Sequence, residues 1–534
     1  MSVATGSPEL NDDDFKNLQS SNLIAEPTPD LREILSLGLL VTLADLTIYR
    51  GEGYAGLGLL LLLAPILLLI GSLRRTPDKT LLCFWVMLAL SALRLLWCGT
   101  PLAATVGLLL IPCFSMSRSG LRPFVPESCR FLGNTIASGG YGIAVYANRL
   151  WTLCRRFTHW NWIIVALPLV VGVLFSLVFL QANPDLLKSV GEYLSQIIQR
   201  LVDWVAEYPL LEILFCLAAG WIGIGLLRPR KNHPARELEE RDCAPLRADP
   251  NATPDPLFDA YRNTLWLVIA LFAGYLVFEF RTMWFRGFPV GFHYSGYAHE
   301  GAAWLTVALA LATGIISLIF QGRILRDRRI NSLVRLTFAW SIENLLLAVA
   351  VYYRLMIYVE FNGMTWARIV GFYGVTTVVA GFLLVLWKIR RSRNFIWLIR
   401  RQLWALTFAI YLYSITPVDY LAMSYNARRI LAGDPKPAVQ FSVQSISTEG
   451  VIALRTHFDR PNVHLADPLI ERGIHSLLRE RYRSLDQLSG KYGWTAWQLS
   501  ESLIRRRSVS HLPPSDDRDR TDWDLFKNHV YQWF

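Results

Sequence analysis

The stretch from Leu333 to Tyr358 constrains this chain more than any other, because it is apolar and long enough to cross a bilayer as a helix yet carries Glu343, Asn344 and Arg354. A charge left in hydrocarbon costs several kcal/mol unless it is paired or wetted, so such residues face a bundle interior or a cavity. A helix of this kind therefore requires neighbours. Glu343 and Arg354 are eleven positions apart, which at 100° per residue returns to nearly the same helix face about 16 Å further along. Tyr358 falls within about 60° of that stripe, and Glu360, Gly363, Thr365 and Arg368 follow in a short hairpin. The expectation is one polar face running from mid-membrane to one surface. Glu343 and Arg354 are expected to share one buried network, bridged by groups near Arg262 or Glu279 on another span.

Composition agrees with this setting. Of the 534 residues, 53% are hydrophobic and 18% charged, with a positive mean hydropathy, which places the chain among polytopic membrane proteins. A net charge of +11 could suggest nucleic acid. Most of the arginines, however, lie in short loops between apolar segments, the positive-inside pattern, and no nucleic-acid partner is expected. The seven cysteines contain no C-x-x-C pair, and Cys83, Cys98, Cys113 and Cys216 sit in or beside apolar spans, so neither a disulfide framework nor a zinc site is indicated. The first residues are acidic (Glu9, Asp12, Asp13, Asp14), without a basic run or an early apolar core. No cleavable signal is expected, and the first span must direct insertion.

Residues 1–30 read as a disordered tail. A first membrane half, 31–227, holds spans at Ile34–Tyr49, Tyr54–Leu73, Leu81–Trp97, Pro101–Met116, Trp162–Gln181 and Leu210–Leu227. The basic loop 117–160 lies between the fourth and fifth, weakly amphipathic and suited to the membrane surface. An amphipathic helix with apolar positions from 186 to 205 precedes the sixth. Residues 228–256 are rich in proline and charge and form a cytoplasmic linker. A second half, 257–417, holds Tyr261–Phe285, Ala298–Phe320, Leu333–Tyr358, Trp366–Trp387 and Leu403–Thr416. The fold expected is all-α, a bundle of about eleven spans with a small helical C-terminal extramembrane region. Alternating the loops puts about 27 Lys and Arg on the side of the N-terminus against about 4 opposite. Residues 418–512 then form an extracytoplasmic helical region. Within it Asp467-Pro468 supplies an N-cap and N1 pair for a helix with Ile470, Ile474, Leu477, Leu478, Tyr482 and Leu485 on one face, and a second short helix covers Thr495 to Ile504. Residues 513–534 read as a flexible tail.

The second half resembles the bacterial membrane family known as domain of unknown function 4173, with family 4153 as a relative. The residues carrying the likeness are Tyr261-Arg262-Asn263-Thr264, Glu279, Trp284-Phe285, Tyr297-Ala298 with Gly301, Glu343-Asn344, Arg354, Tyr358, Gly363-Met364-Thr365 and Arg368. Pro417-Val418-Asp419 with Tyr425-Asn426, and Ala182-Asn183-Pro184, extend it. Ser447-Thr448-Glu449-Gly450 departs from the family's usual Asp-Ala and proline after the last span. The resemblance implies a bacterial plasma membrane and supplies no catalytic residue.

With that orientation Asp45, Arg94, Glu279, Arg281, Glu300, Arg354, Glu360, Arg368 and Asp419 fall in or at the outer leaflet. Only Glu343 lies deep. Glu279, Glu300, Glu343, Asn344, Arg354, Tyr358 and Arg368 are the candidate ligand-binding or network residues, with the arginines suited to anions and Glu343 to a proton- or cation-linked role. For Asp45, Arg94, Arg281 and Glu360 the expectation is structural: charges at span ends that reach headgroups or pair to lock the bundle. His457, Asp459, His464 and Asp467 fit no metal-ligand spacing and are expected in solvated loops. Glycines 220, 223, 225, 371 and 374 suit close helix packing. There is no phosphate-binding G-x-x-x-x-G-K-[ST], no H-E-x-x-H, no G-x-S-x-G and no kinase motif set, so an ATP-driven pump or a soluble-type hydrolase is not expected. No metal or cofactor is expected. Three classes stay open: an envelope-facing binding, scaffolding or sensory protein with the tail as surface for an envelope protein partner and the bilayer as its setting; a secondary transporter using Glu343; and a membrane enzyme on a lipid-linked substrate, using Glu279 or Glu300.

Overall fold

The computed structural model describes residues 28–72, 79–157, 168–172, 193, 195–200, 210–229, 255–283, 294–320, 324, 327–391, 393, 395–459, 464–487, 493–506 and 518–533. They form helices and connecting turns, with no strand among the described residues. The principal helices in chain order are α1 (Leu31–Ala44), which runs into a π turn at Asp45–Tyr49, α2 (Tyr54–Ile70), α3 (Lys79–Cys98), α4 (Pro101–Arg118), α5 (Val125–Phe157), α6 (Leu210–Leu227), α7 (Phe258–Met283), α8 (Tyr294–Ile319), α9 (Ile330–Asn362), α10 (Trp366–Arg390) and α11 (Phe395–Ile415). After them come α12 (Val418–Leu431), α13 (Val439–Val443), α14 (Thr448–Phe458), α15 (Pro468–Gln487), α16 (Leu499–Arg506) and α17 (Arg518–Val530).

Among the described residues α3, α4, α6, α7, α9 and α10 are long and apolar enough to span a membrane, and α11 with α12 makes a seventh candidate bent by 63° at Pro417. α2 and the apolar part of α8 are shorter apolar helices. The expected span Trp162–Gln181, the helix around 186–205 and most of the linker lie outside the described residues. The bundle's outward faces are apolar: Trp266, Leu271 and Val277 of α7 and Ile342 of α9 are each more than half exposed. Large apolar groups covering whole helix faces suit lipid and not water. The protein is a polytopic helical membrane protein.

The chain divides into two compact units, Met1–Thr42 with Leu67–Leu73 and Asn134–Arg230, and Leu43–Ile66 with Arg74–Gly133 and Lys231–Phe534. In the first, Arg228 forks onto Glu33, with Nε to Oε1 at 2.6 Å and Nη2 to Oε2 at 2.9 Å, and the Tyr146 hydroxyl donates to the same carboxylate at 2.7 Å. A Cβ on Gly225 would stand 2.1 Å from the Thr135 carbonyl oxygen, so this glycine does serve close packing of α6 on α5.

In the second unit α7 to α10 pack around α9. One apolar layer gathers Leu265, Ile316, Leu333, Trp340, Phe382 and Val385, and another Leu276, Leu309, Leu347, Val351, Leu355 and Val375. The basic turns collect at one end of this unit. Lys388 at the foot of α10 donates to the Phe320 carbonyl at 2.6 Å, Arg400 of α11 pairs with Glu127, Trp404 donates to the Pro123 carbonyl at 3.1 Å, and Asp327 beside Arg329 accepts the Asp255 N–H at 2.9 Å. Helices α12 to α17 sit at the opposite end, against the α3–α4 and α9–α10 turns.

These last helices have a core of their own, with Met423, Ala427, Phe441, Leu454, Ile474 and Phe526 fully buried. Asp467 caps α15 as its spacing foretells, Oδ1 accepting the Leu469 N–H at 2.9 Å, and Ile470, Ile474, Leu477 and Leu478 face inward. Residues 518–530 correct the flexible-tail expectation: they are helical, and Phe526 and Val530 close the core against α15. Charge density hid two inward positions four residues apart. His529 of α17 meets Asp467 Oδ2 at 2.6 Å, joining the terminal helix to the start of α15. Burial pushes the Asp467 carboxyl up, but the His529 ring and the capped N–H groups outweigh it and hold it below the ordinary carboxylate value. A lowered folded value means stability present above the unfolded pKa of about 3.9 and lost as pH falls through the folded one. Hydrogen-exchange protection of α17 is therefore expected to be retained at pH 5 and to decline below about pH 4. Asp467→Asn should weaken protection at pH 5 and flatten that decline; an unchanged acid profile in the variant would remove Asp467 as its cause.

Candidate functional site

Helix α9 ends because Gly363 turns into the left-handed region, φ +88°, its N–H bonding back to the Val359 carbonyl at 2.8 Å. Thr365 then caps α10, its hydroxyl accepting the Arg368 N–H at 3.4 Å. The turn is gripped from the C-terminal helices. Asn426 of α12 accepts the Met364 N–H at 2.6 Å and donates to the Met364 carbonyl at 2.8 Å, as a paired backbone would. A Cβ on Gly363 would lie 2.5 Å from Asn426 Oδ1, so only glycine admits this clasp. Two motifs separated by sixty residues in the sequence, Gly363-Met364-Thr365 and Tyr425-Asn426, are thus one contact. The last carbonyls of α9, its negative end, receive donors too: Arg429 reaches Val359 O at 2.8 Å and Glu360 O at 2.6 Å, and Gln440 reaches Asn362 O at 2.8 Å.

Directly below this turn lies a half-open cleft of about 630 Å³. Thr306, Val307 and Ala310 of α8 form one wall, and Leu355 and Tyr358 of α9 a second. Arg368, Gly371 and Gly374 of α10 complete it, while Gln440 and Gln444 roof it. Polar groups gather at the roof and apolar ones along the depth.

Arg368 is 5% exposed and lies at the roof. It donates to the Gly363 carbonyl, and its guanidinium stands 3.7 Å from the centre of the Tyr358 ring. Its Nε has no partner, and no carboxylate pairs with it among the described residues. A buried cation over an aromatic face gains about 2 kcal/mol, short of what desolvation takes from an unpaired charge. The roof of the cleft thus carries a buried positive charge.

The other candidates separate from it. Arg354 does not share a network with Glu343: it forks onto Glu279 of α7, Nε to Oε1 and Nη2 to Oε2 both at 2.6 Å, with both side chains 3% exposed or less. Tyr275 donates to the same carboxylate at 2.9 Å. The shared helix face is real, but the partner is set by which helix stands opposite, and here that helix offers Glu279 to Arg354. Glu343 is half-buried, and its Oε2 has no partner among the described residues. Asn344 is fully buried and donates to the Trp340 carbonyl at 2.8 Å. Glu300 lies on α8, with its side chain outside the described ones. Of the two glycines of α10 expected in close helix packing, Gly371 fits and Gly374 does not. A Cβ at Gly374 would meet nothing within 4 Å, so this glycine opens the cleft instead of closing a helix contact, while at Gly371 a Leu355 methyl would stand at 3.3 Å.

Two further groups had no periodic signal in the sequence. Gln440 and Gln444 are brought over the cleft only by the fold. Glu449, in the segment that departs from the family pattern, is 2% exposed and pairs with Arg94 of α3, which also donates to the Cys98 carbonyl at 2.7 Å. Arg94 thereby locks the bundle, as a charge at a span end was expected to do.

No match appears among curated proteins or among solved structures. The family model that matches is that of a domain of unknown function, DUF4153, and not that of 4173; it runs from α2 into α14 and ends short of α15 to α17, so it takes in the cleft, its glutamine roof and the Arg94–Glu449 pair. Covering residues 57–456, well over half of the sequence, it makes this chain a member of the DUF4153 family.

Proposed function

We propose that the protein is a ligand-binding protein of the bacterial plasma membrane, whose site is the cleft between α8, α9 and α10 under the C-terminal helices. The observation that carries this is Arg368, a buried cation without a carboxylate at the roof of an open cleft. Three other buried arginines come with acids: Arg94 with Glu449, Arg354 with Glu279, Arg400 with Glu127. Arg368 differs in having room for an outside anion. The basic turns and the C-terminal helices occupy opposite ends of their unit, which supports a cytoplasmic basic end and a cleft roofed on the outer side. That position suits envelope-facing binding, scaffolding or sensing, with the C-terminal helices as the surface that a partner in the envelope meets.

Purified from its own membrane in mild detergent, the wild-type protein should carry a non-covalent passenger in native mass spectra, and Arg368→Gln should lose it. A passenger retained by Arg368→Gln, or none in the wild type, would end this proposal. A second class, secondary transport, is favoured by one observation. Glu343 Oε2, Asn344 Oδ1, Trp340 Nε1 and Thr337 Oγ1 lie within about two turns of α9 and are all without partners among the described residues. Solute-coupled proton uptake into liposomes, abolished by Glu343→Gln, would put transport in first place.

A further inference from the structure

We infer that the ligand of this cleft is an anionic amphiphile drawn from the bilayer, its phosphate or carboxylate headgroup at Arg368 and Gln444 and its hydrocarbon chain along α8 and α10. This rests on the binding proposal above and names the class of molecule bound.

The headgroup end follows from charge. Arg368 carries a positive charge at 5% exposure, and the Arg429 guanidinium repels it. Arg429 has its own acid in Asp434. An anion entering beside Arg368 relieves an uncompensated charge, and charge-assisted bonds to phosphate or carboxylate are about twice as strong as neutral ones. Gln440 is committed to Asn362, but the side-chain amide of Gln444 makes no hydrogen bond among the described residues, and the residue lines the same cleft. The roof thus offers a cation and a free amide within one pocket.

The chain end follows from what lies deeper. From Arg368 to Gly374 the cleft descends about 9 Å along α10 and meets only Leu355, Val370, Gly371 and Val375 on the α9 and α10 sides. Gly374 leaves open space where any other residue would place a Cβ. Facing it, Val307 and Ala310 of α8 are apolar, and Val307 and Val370 are 54% and 41% exposed on the face that lipid covers. A small hydrated anion has no reason to cross such an apolar doorway, whereas a lipid slides in sideways without leaving hydrocarbon. Basic pockets between spans are the usual seats of anionic headgroups.

The test uses the full-length protein in phosphatidylcholine nanodiscs containing a minor fraction of phosphatidylglycerol, with lipid retained after mild extraction read by native mass spectrometry. Wild type is expected to retain phosphatidylglycerol over phosphatidylcholine by about tenfold. Arg368→Gln should abolish the preference, Arg368→Lys should keep most of it, and Gly374→Leu, which grows into open space, should reduce retention of both lipids. The Gly374 variant keeps every contact of the folded roof, so it decides the matter even if Arg368→Gln folds poorly. Equal retention of the two lipids by the wild type, or total lipid retention untouched by Gly374→Leu, would overturn the inference. Competition by glycerol phosphate or inorganic phosphate as strong as by the lipid would also overturn it, leaving a cleft for soluble anions. An Arg368-dependent passenger from native membranes, together with no lipid preference in nanodiscs, would refute the amphiphile alone and leave the binding proposal standing.

Discussion

Arg354→Met is expected to lower the unfolding free energy of the detergent-purified protein by about 3–5 kcal/mol, because it takes away the guanidinium that forks onto the buried Glu279 carboxylate. Glu279 is 1% exposed and takes two charge-assisted bonds from Arg354, with the Tyr275 hydroxyl donating to the same carboxylate. Both residues face the apolar layer of Leu276, Leu347 and Val351, where water is scarce. Replacing both partners, Glu279→Leu with Arg354→Met, should recover most of the loss, since a buried pair exchanged for packed apolar groups is often neutral or better. Glu343→Gln is the contrast: it removes a charge that has no partner among the described residues and should leave stability within about 0.5 kcal/mol or raise it. Urea or SDS titrations followed by tryptophan fluorescence read all four proteins. Wild-type stability in Arg354→Met would mean that the pair is wetted and that Glu279 is free for another role.

The pair shows where the sequence stops being informative. Helix spacing put Glu343, Arg354 and Tyr358 near one stripe of α9, and the 3.6-residue period made that part legible. Which charges meet depends on α7 standing beside α9 at a given height, and that register is set by packing over the whole bundle. Arg262 and Glu279, both named as bridging candidates, lie on the same helix; only Glu279 reaches, while Arg262 pairs at the surface with Asp259. The C-terminal helices divide in the same way. Asp467-Pro468 announces α15 because capping is local chemistry, whereas α17 buries just Phe526 and Val530 from a run of charges, too few inward positions to make a period. The cleft itself was half legible. Arg368 and Tyr358 stand out as polar groups in an apolar stretch, but the void beside Gly374 and the roof of Gln440 and Gln444 are products of four elements meeting.

Deleting residues 436–534 is expected to weaken the remaining bundle and not merely remove an appendage. The deletion takes away Glu449, whose carboxylate is the counter-ion of Arg94, 7% exposed near the end of α3. It also removes Gln440 from the last carbonyls of α9, and with Gly493 and Thr495 the partners of the Glu52 carboxylate and N–H. A guanidinium stranded among Leu88, Ala92 and Leu95 should cost about 3–5 kcal/mol, visible as a drop in the thermal midpoint of the truncated protein. Adding Arg94→Met to the truncation removes the stranded charge and should restore most of that drop, though not the roof of the cleft. In the full-length chain Glu449→Leu should reproduce the loss, and Glu449→Leu with Arg94→Met should again recover it. Should the truncated protein with Arg94 intact melt at the wild-type midpoint, the C-terminal helices are an independent module, and Arg94 finds water or a headgroup without them. If the rescue holds, the helices roofing the cleft and the bundle below it are one cooperative body, so the proposed ligand at Arg368 would stabilise both, and a force on the C-terminal helices would act on the cleft.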